Sequence, residues 1–296
     1  MSEQKQRIVS LLPSATEIVC GLGLRDQLVG VSHECNYPPG IEVLPRVTRS
    51  NVDSSASSAQ IDDQVRTLVS AGQALYEVDE TRLVSLQPDL ILTQAQCDVC
   101  AVSYESVKGI VCGNESLRRS PLVSLNPTSI SDVLEDVERI GSVAGRHEAG
   151  KAYRQALQQR INVVAQRATR LTNRPRTLVI EWTDPLMVAG NWTPDMVALA
   201  GGDYGLVTAG MHSPYVTWQQ LLDFRPQVVI VAPCGFDLAR SKTELVTLRQ
   251  LPEWQELQLA DDHVHVVDGD AFFNRPGPRL VDSLEMLSHW ILGAVR

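Results

Sequence analysis

No apolar run in this 296-residue chain approaches the ~20 residues that a membrane-spanning helix needs. The longest, such as 228–233, have only the length of a strand. Positive charge is short: 26 Lys+Arg stand against 35 Asp+Glu, a formal net charge of −9, which argues against a nucleic-acid partner needing clustered Lys and Arg. Neither GxSxG nor GxxxxGK[ST] occurs, so serine-hydrolase, kinase and P-loop readings fail. There is one CxxC and no second, so a zinc ribbon is excluded. Residues 7–23, RIVSLLPSATEIVCGLG, superficially suggest a leader. Ser10, Pro13, Ser14, Thr16 and Glu17 interrupt the apolar stretch, and no small-residue cleavage site follows. Glu-Ile-Val before Cys20 is a poor acylation site. The expectation is a protein that begins near Met1 and stays in the cytoplasm, with six cysteines serving as buried thiols, metal ligands or reactive groups rather than disulfides.

What is present suits an ordinary globular protein of about two domains: 44% apolar and 21% charged residues, with a core to bury. Short β-branched runs at 8–12, 28–32, 90–94 and 122–125 alternate with helix-period segments at 16–22, 61–71, 81–86, 102–109 and 131–144. Such alternation specifies a parallel α/β sheet. Ser129 or Ser131 can cap the last of these helices. The stretch 148–171 lacks Pro, and lacks Gly after Gly150. Ala152, Ala156, Ile161, Val164, Ala168 and Leu171 mark one face of a single helix of roughly 22 residues, about 33 Å long, which Pro175 closes off. A second α/β unit follows, with strands at 177–181, 228–232 and 263–267 and helices at 194–200, 217–224, 242–248 and 279–292. The expected organisation is a first lobe over 1–147, a bridging helix over 148–171 and a second lobe over 172–296. A connection so poor in Gly, Ser and Pro is a rigid strut, which would keep a cleft between lobes at nearly constant width.

In open α/β sheets ligands bind beyond the carboxyl ends of the strands. Those ends carry Pro13-Ser14-Ala15-Thr16-Glu17, His33-Glu34-Cys35-Asn36-Tyr37, Gln96-Cys97-Asp98-Val99-Cys100, Glu181-Trp182, Pro233-Cys234-Gly235-Phe236-Asp237, and the run from Asp268 to Arg279. The opening RIVSLLPSATEIVCGLGLRDQLVGVSHECNYPP, the PDLIL segment, the long helix and VDGDAFFNRPGPRLVDSLE resemble the class III substrate-binding proteins of ABC transporters. The likeness is closest to the cobalamin-binding branch and its signal-less relatives.

The resemblance implies two Rossmann-like lobes joined by a backbone helix, with a corrinoid such as cobalamin, a haem or an iron chelate held between them. It places Pro13, Ser14 and Tyr37 on one wall, and Trp182, Phe272 and Arg275 on the other. Aromatic faces and a few donors complement a broad corrin ring bearing amides. Two departures stand out. Positions where the family carries indoles fall near Arg49 and Gln94, and the acids that dock such proteins on a permease fall near Thr81 and at Gln219.

Read from residues alone, Pro13-Ser14 starts a helix, Trp182 and Phe272-Phe273 are core, and Arg275 and Arg279 flank a rigid Pro276-Gly277-Pro278 turn. His263 and His265, two apart on a strand, read as a solvated edge. Cys20 and Cys112 read as small buried hydrophobes. Cys97 and Cys100, with Cys35 and Cys234 at other strand ends, offer four thiols to one cleft and hence a soft-metal site for Zn, Cu(I) or Fe–S. Ligand binding is favoured over catalysis. The alternative is a cytoplasmic metal- or Fe–S-binding protein or enzyme using that cysteine cluster.

Overall fold

The computed structural model describes residues 5–95 and 102–295. The chain divides into two compact units, Met1–Pro127 with Glu135–Arg154, and Thr128–Leu134 with Gln155–Arg296. No described helix is long and apolar enough to cross a membrane.

The first unit opens with β1 (Ile8–Ser10), α1 (Pro13–Gly21) and β2 (Leu28–Val31). The helix begins at Pro13, three residues ahead of the sequence expectation. Proline at the first helical position loses no hydrogen bond there and brings the right φ. Next come β3 (Thr48–Ser50), α2 (Ser58–Ser70), β4 (Tyr76–Val78), α3 (Glu80–Ser85), β5 (Leu90–Gln94), α4 (Tyr104–Gly113) and β6 (Leu122–Leu125). A capping box between Ser57 and Gln60 moves the start of α2 ahead of the expected residue 61.

Strands β2-β1-β5-β6 form one parallel sheet in that order, with Val9 opposite Ile91 and Gly30. Every residue of β1 and β5 is buried, as an all-parallel sheet packed on both faces requires, and Val9, Leu11, Val47, Leu83, Ile91, Val107 and Leu117 form one buried cluster. The separate antiparallel pair β3–β4 sets Arg49 directly opposite Glu77, and the two side chains are ion-paired.

Helices α5 (Ile130–Val143) and α6 (His147–Ala168) connect the units. Gly141 and Gly150 let the two helices touch backbone to backbone. A Cβ on Gly141 would stand 2.8 Å from the Gly150 Cα. Helix α6 has no break, as expected. Its first turns bond to the first unit through Arg154 and Glu138 (2.7 Å), and its later turns to the second through Arg160.

The second unit contains β7 (Thr177–Thr183), β8 (Leu186–Val188), α7 (Thr193–Ala200), α8 (Trp218–Phe224), β9 (Val228–Val231), α9 (Leu238–Arg249), α10 (Pro252–Glu256), β10 (Val264–Val266) and α11 (Leu280–Ala294). The sheet order is β10-β9-β7-β8, parallel except for β8, which returns antiparallel on β7. The four residues of β9 are fully buried, which explains their uniform Val/Ile character. Helix α9 starts four residues earlier than the sequence pattern indicated, because Asp237 caps it by accepting from the Arg240 N–H at 2.8 Å.

Candidate functional site

In the first unit, the carboxyl end of β1 feeds straight into α1. Ser10 Oγ donates to the Leu12 carbonyl (2.9 Å), and Thr16 Oγ1 donates to Ser10 Oγ (2.9 Å) while lying 3.1 Å from Cys35 Sγ. These bonds fix the Pro13-Ser14 turn. Pro13 is partly open, and Ser14 is buried. Beyond β2, Arg46 Nη1 donates to the carbonyls of Ser32 (2.8 Å) and Cys35 (2.6 Å), tying the loop that presents Tyr37. Tyr37 is 43% exposed, ahead of a cis bond to Pro38. His33 Nδ1 sits 2.7 Å from Thr48 Oγ1, and its ring lies 5.5 Å from that of Tyr76. Burial, reinforced by the Arg46 charge, lowers the His33 pKa, so this imidazole is neutral at pH 7. Gln94 is buried at the end of β5. Arg49 is engaged by Glu77, whose carboxyl is held low first by the Asn51 hydrogen bond and then by Arg49.

In the second unit, the ends of β7, β9 and β10 carry a denser set. Trp182 is half-buried; its Nε1–H donates to the Asp184 carbonyl (3.0 Å), and its ring lies 5.0 Å from Phe236. The Arg240 guanidinium lies over the Phe236 ring, 3.4 Å from the centroid. Beside them Glu181 Oε2 accepts from Ser213 Oγ at 2.7 Å. After β10 the chain presses against the end of β9. A Cβ on Gly269 would come 2.0 Å from the Pro233 carbonyl oxygen, and Asn274 Nδ2 donates to the carbonyls of Ala232 and Gly269, each at 2.8 Å. Arg275, 11% exposed, is ion-paired with Asp270. Arg279 stands 5.7 Å from the Phe272 ring centroid.

Of the residues singled out by sequence, Trp182 near the end of β7 and Phe272 and Arg275 in the turns after β10 thus lie toward the carboxyl end of one sheet. Pro13, Ser14 and Tyr37 lie at the carboxyl end of the other. Phe236 and Arg240 were not singled out as a pair. The available signal was Asp237: as helix cap it places Phe236 just outside the helix and Arg240 in its first turn.

Cys97 and Cys100 lie outside the described residues. Cys35 is fully buried under α1, whereas Cys234 is exposed on the second unit. Among the described residues no group of three or more His, Cys, Asp and Glu side chains could hold a metal ion, so the thiolate-site expectation for Zn or Fe–S finds no support. Two further expectations are corrected. Cys112 is exposed rather than buried, and Cys20 is half-buried, its thiol pushed up to about 11 chiefly by burial. β10 is the edge strand of its sheet, as expected, but the His265 ring is partly buried and stacked on Trp290, centroids 4.5 Å apart.

Residues 8–271 match the family model described as periplasmic binding protein. The chain belongs to the periplasmic binding protein family. It is 23% identical over 294 residues to the vitamin B12-binding protein of Yersinia pestis (strain Pestoides F), covering 97% of this chain and 86% of that protein. The fold is similar to the periplasmic vitamin B12 binding protein BtuF of Vibrio cholerae, with TM-score 0.69, 23% identity, and 98% and 97% of the two chains covered. It is also similar to a periplasmic heme binding protein from Pseudomonas aeruginosa, with TM-score 0.73, 19% identity, and 98% and 94% covered. These findings confirm the resemblance to the class III binders and the α/β fold. They overturn the expected cytoplasmic location, since the family and these similar structures are periplasmic binding proteins.

Proposed function

We propose that this member of the family binds a corrinoid, cobalamin being the favoured ligand, through residues at the carboxyl ends of its strands. The observation that carries the reading is the Trp182–Phe236–Arg240 group. A half-open indole, backed by the buried Phe236 ring on which a guanidinium rests, offers a flat apolar surface next to a donor. A corrin ring fringed with amides calls for such a surface. Tyr37 supplies an exposed aromatic ring on the first unit, and the partly open Pro13 lies at the carboxyl end of β1 in the same unit. Vitamin B12-binding relatives support cobalamin; the heme-binding fold neighbour makes a haem the second ligand to test.

Handing the ligand to an ABC permease is the role this reading assigns. Thr81 and Gln219, where docking acids were expected, are exposed, and Glu80 stands beside Thr81 in the first turn of α3.

Equilibrium titration of the full chain with cyanocobalamin, cobinamide and haemin, followed by tryptophan fluorescence and calorimetry, tests the proposal. Saturable binding of a corrinoid, weakened by Arg275→Ala, is the expected result. Binding of haemin alone, or of none of the three, would overturn it.

A further inference from the structure

The second unit contains a cavity of about 700 Å³ walled by α11, the turn into β10 and the end of α6. Asp262 and His263 in its wall precede β10, so it opens toward the amino end of that strand, away from the carboxyl-end face described above. Its charge is unusual for so acidic a chain. Arg167 in the last turn of α6 and Arg170 just beyond its end line it together, and neither forms a close ion pair among the described residues, although the Arg167 charge also acts on Glu285. The carboxylates facing them are Asp262 and Glu285. Arg160 already neutralises the latter, with Nε to Oε1 at 2.9 Å and Nη2 to Oε2 at 2.7 Å. Two exposed guanidiniums lining one cavity add positive charge that an anion bound there would offset.

The polar lining points the same way. Ser288 is 1% exposed, and its hydroxyl has no hydrogen-bond partner among the described residues, although it belongs to the cavity wall. A buried hydroxyl left unbonded costs free energy that a ligand acceptor would recover. His265 is held flat against Trp290, with rings 11° from parallel, which fixes the direction of its ring nitrogens. His289, on α11, adds a further imidazole to the wall.

We propose that this cavity is a binding site for a small multivalent anion bearing phosphate or clustered carboxylate groups. Arg167 and Arg170 pair with its charge, and Ser288 donates a hydrogen bond to it. The site is independent of the corrinoid face.

Pyrophosphate and citrate, titrated separately into the full chain by calorimetry at low salt, distinguish phosphate from carboxylate. The expected result is one-to-one saturable binding of at least one anion, weakened about tenfold or more by Arg167→Ala and by Arg170→Ala, and also weakened by Ser288→Ala. Both arginines are exposed surface residues, so their variants fold. Corrinoid affinity should be unchanged in all three variants, which separates failure of this site from failure of the corrinoid reading. No saturable heat from either anion overturns the proposal, as does unchanged anion affinity in the Arg167→Ala/Arg170→Ala double variant.

Discussion

Arg240 rests its guanidinium on the ring of Phe236, 3.4 Å from the centroid. The same ring meets Trp182 at 5.0 Å and an interplanar angle of 55°. Phe236 is 2% exposed, so it acts as a buried wedge between two partly accessible groups. The wedge holds a cation and an indole at a fixed spacing at the carboxyl end of the sheet. A ligand that uses both loses little entropy in ordering them.

The first prediction follows from that arrangement. Trp182→Ala should weaken corrinoid binding by about 1–3 kcal/mol, the loss usual for an aromatic anchor. Arg240→Ala should weaken it less, by about 1 kcal/mol, because the ring beneath it survives. Calorimetric titration with cyanocobalamin measures both, and thermal melting controls for folding. Wild-type affinity in Trp182→Ala would remove this residue from the binding face.

How far the sequence discloses such a face depends on which force builds each part. Strands β7 and β9 are legible because burial on both faces demands unbroken Val/Ile runs, and Trp182 is legible because it follows such a run. Strands β3 and β4 are not legible: Thr48-Arg49-Ser50 has no apolar alternation, and the pairing is held by main-chain bonds and the Arg49–Glu77 ion pair. The Phe236–Arg240 contact was hidden for another reason. The apolar period of α9 points to a start at Lys242, and only the Asp237 side chain extends the helix back to Leu238. Arg275 was visible as a cation in a restricted turn, but its pairing with Asp270 depends on the turn's path and leaves no spacing signature.

Gly269 gives the second prediction. The Pro233 carbonyl oxygen lies 2.0 Å from where a Cβ would be, and this obstacle is backbone rather than a side chain that could swing aside. Gly269→Ala should therefore destabilise the protein by about 2–4 kcal/mol through forced backbone displacement. Urea denaturation followed by circular dichroism reads the shift in midpoint. The Asn274 bonds to Ala232 and Gly269 run through the same contact, so corrinoid affinity should fall along with stability. A stability within 0.5 kcal/mol of wild type, the usual range for neutral surface changes, would show that the loop sits farther from β9.

A third prediction concerns pH. His265 is lowered from 6.5 to about 4, first by burial and then by the neighbouring His263 and His289. The unfolded chain therefore binds a proton at this residue over a range in which the folded chain does not. Stability contributed by neutral His265 is fully present above about pH 6.5 and is lost as pH falls toward 4. His33, also lowered by burial, acts in the same direction. Unfolding free energy measured from pH 7.5 to 4.5 should decline on acidification, and His265→Phe should flatten part of that decline while keeping a ring against Trp290. An identical pH profile in wild type and variant would show that His265 titrates normally.

The cysteines supply the last prediction. A thiol reacts as its thiolate, so reactivity follows both exposure and pKa. Cys35 is fully buried with Thr16 Oγ1 at 3.1 Å, and Cys20 is half-buried with its thiol raised to about 11, leaving about one part in ten thousand ionised at pH 7. Cys234 and Cys112 are exposed. Brief treatment of the native protein with iodoacetamide, followed by peptide mass spectrometry, should label Cys234 and Cys112 and spare Cys35 and Cys20. In urea all four should react. The same experiment bears on the soft-metal alternative, because a thiolate holding zinc or iron resists alkylation until a chelator removes the metal. Labelling of Cys234 that is equal with and without chelator therefore excludes it as a metal ligand, and protection that a chelator abolishes would restore the metal reading.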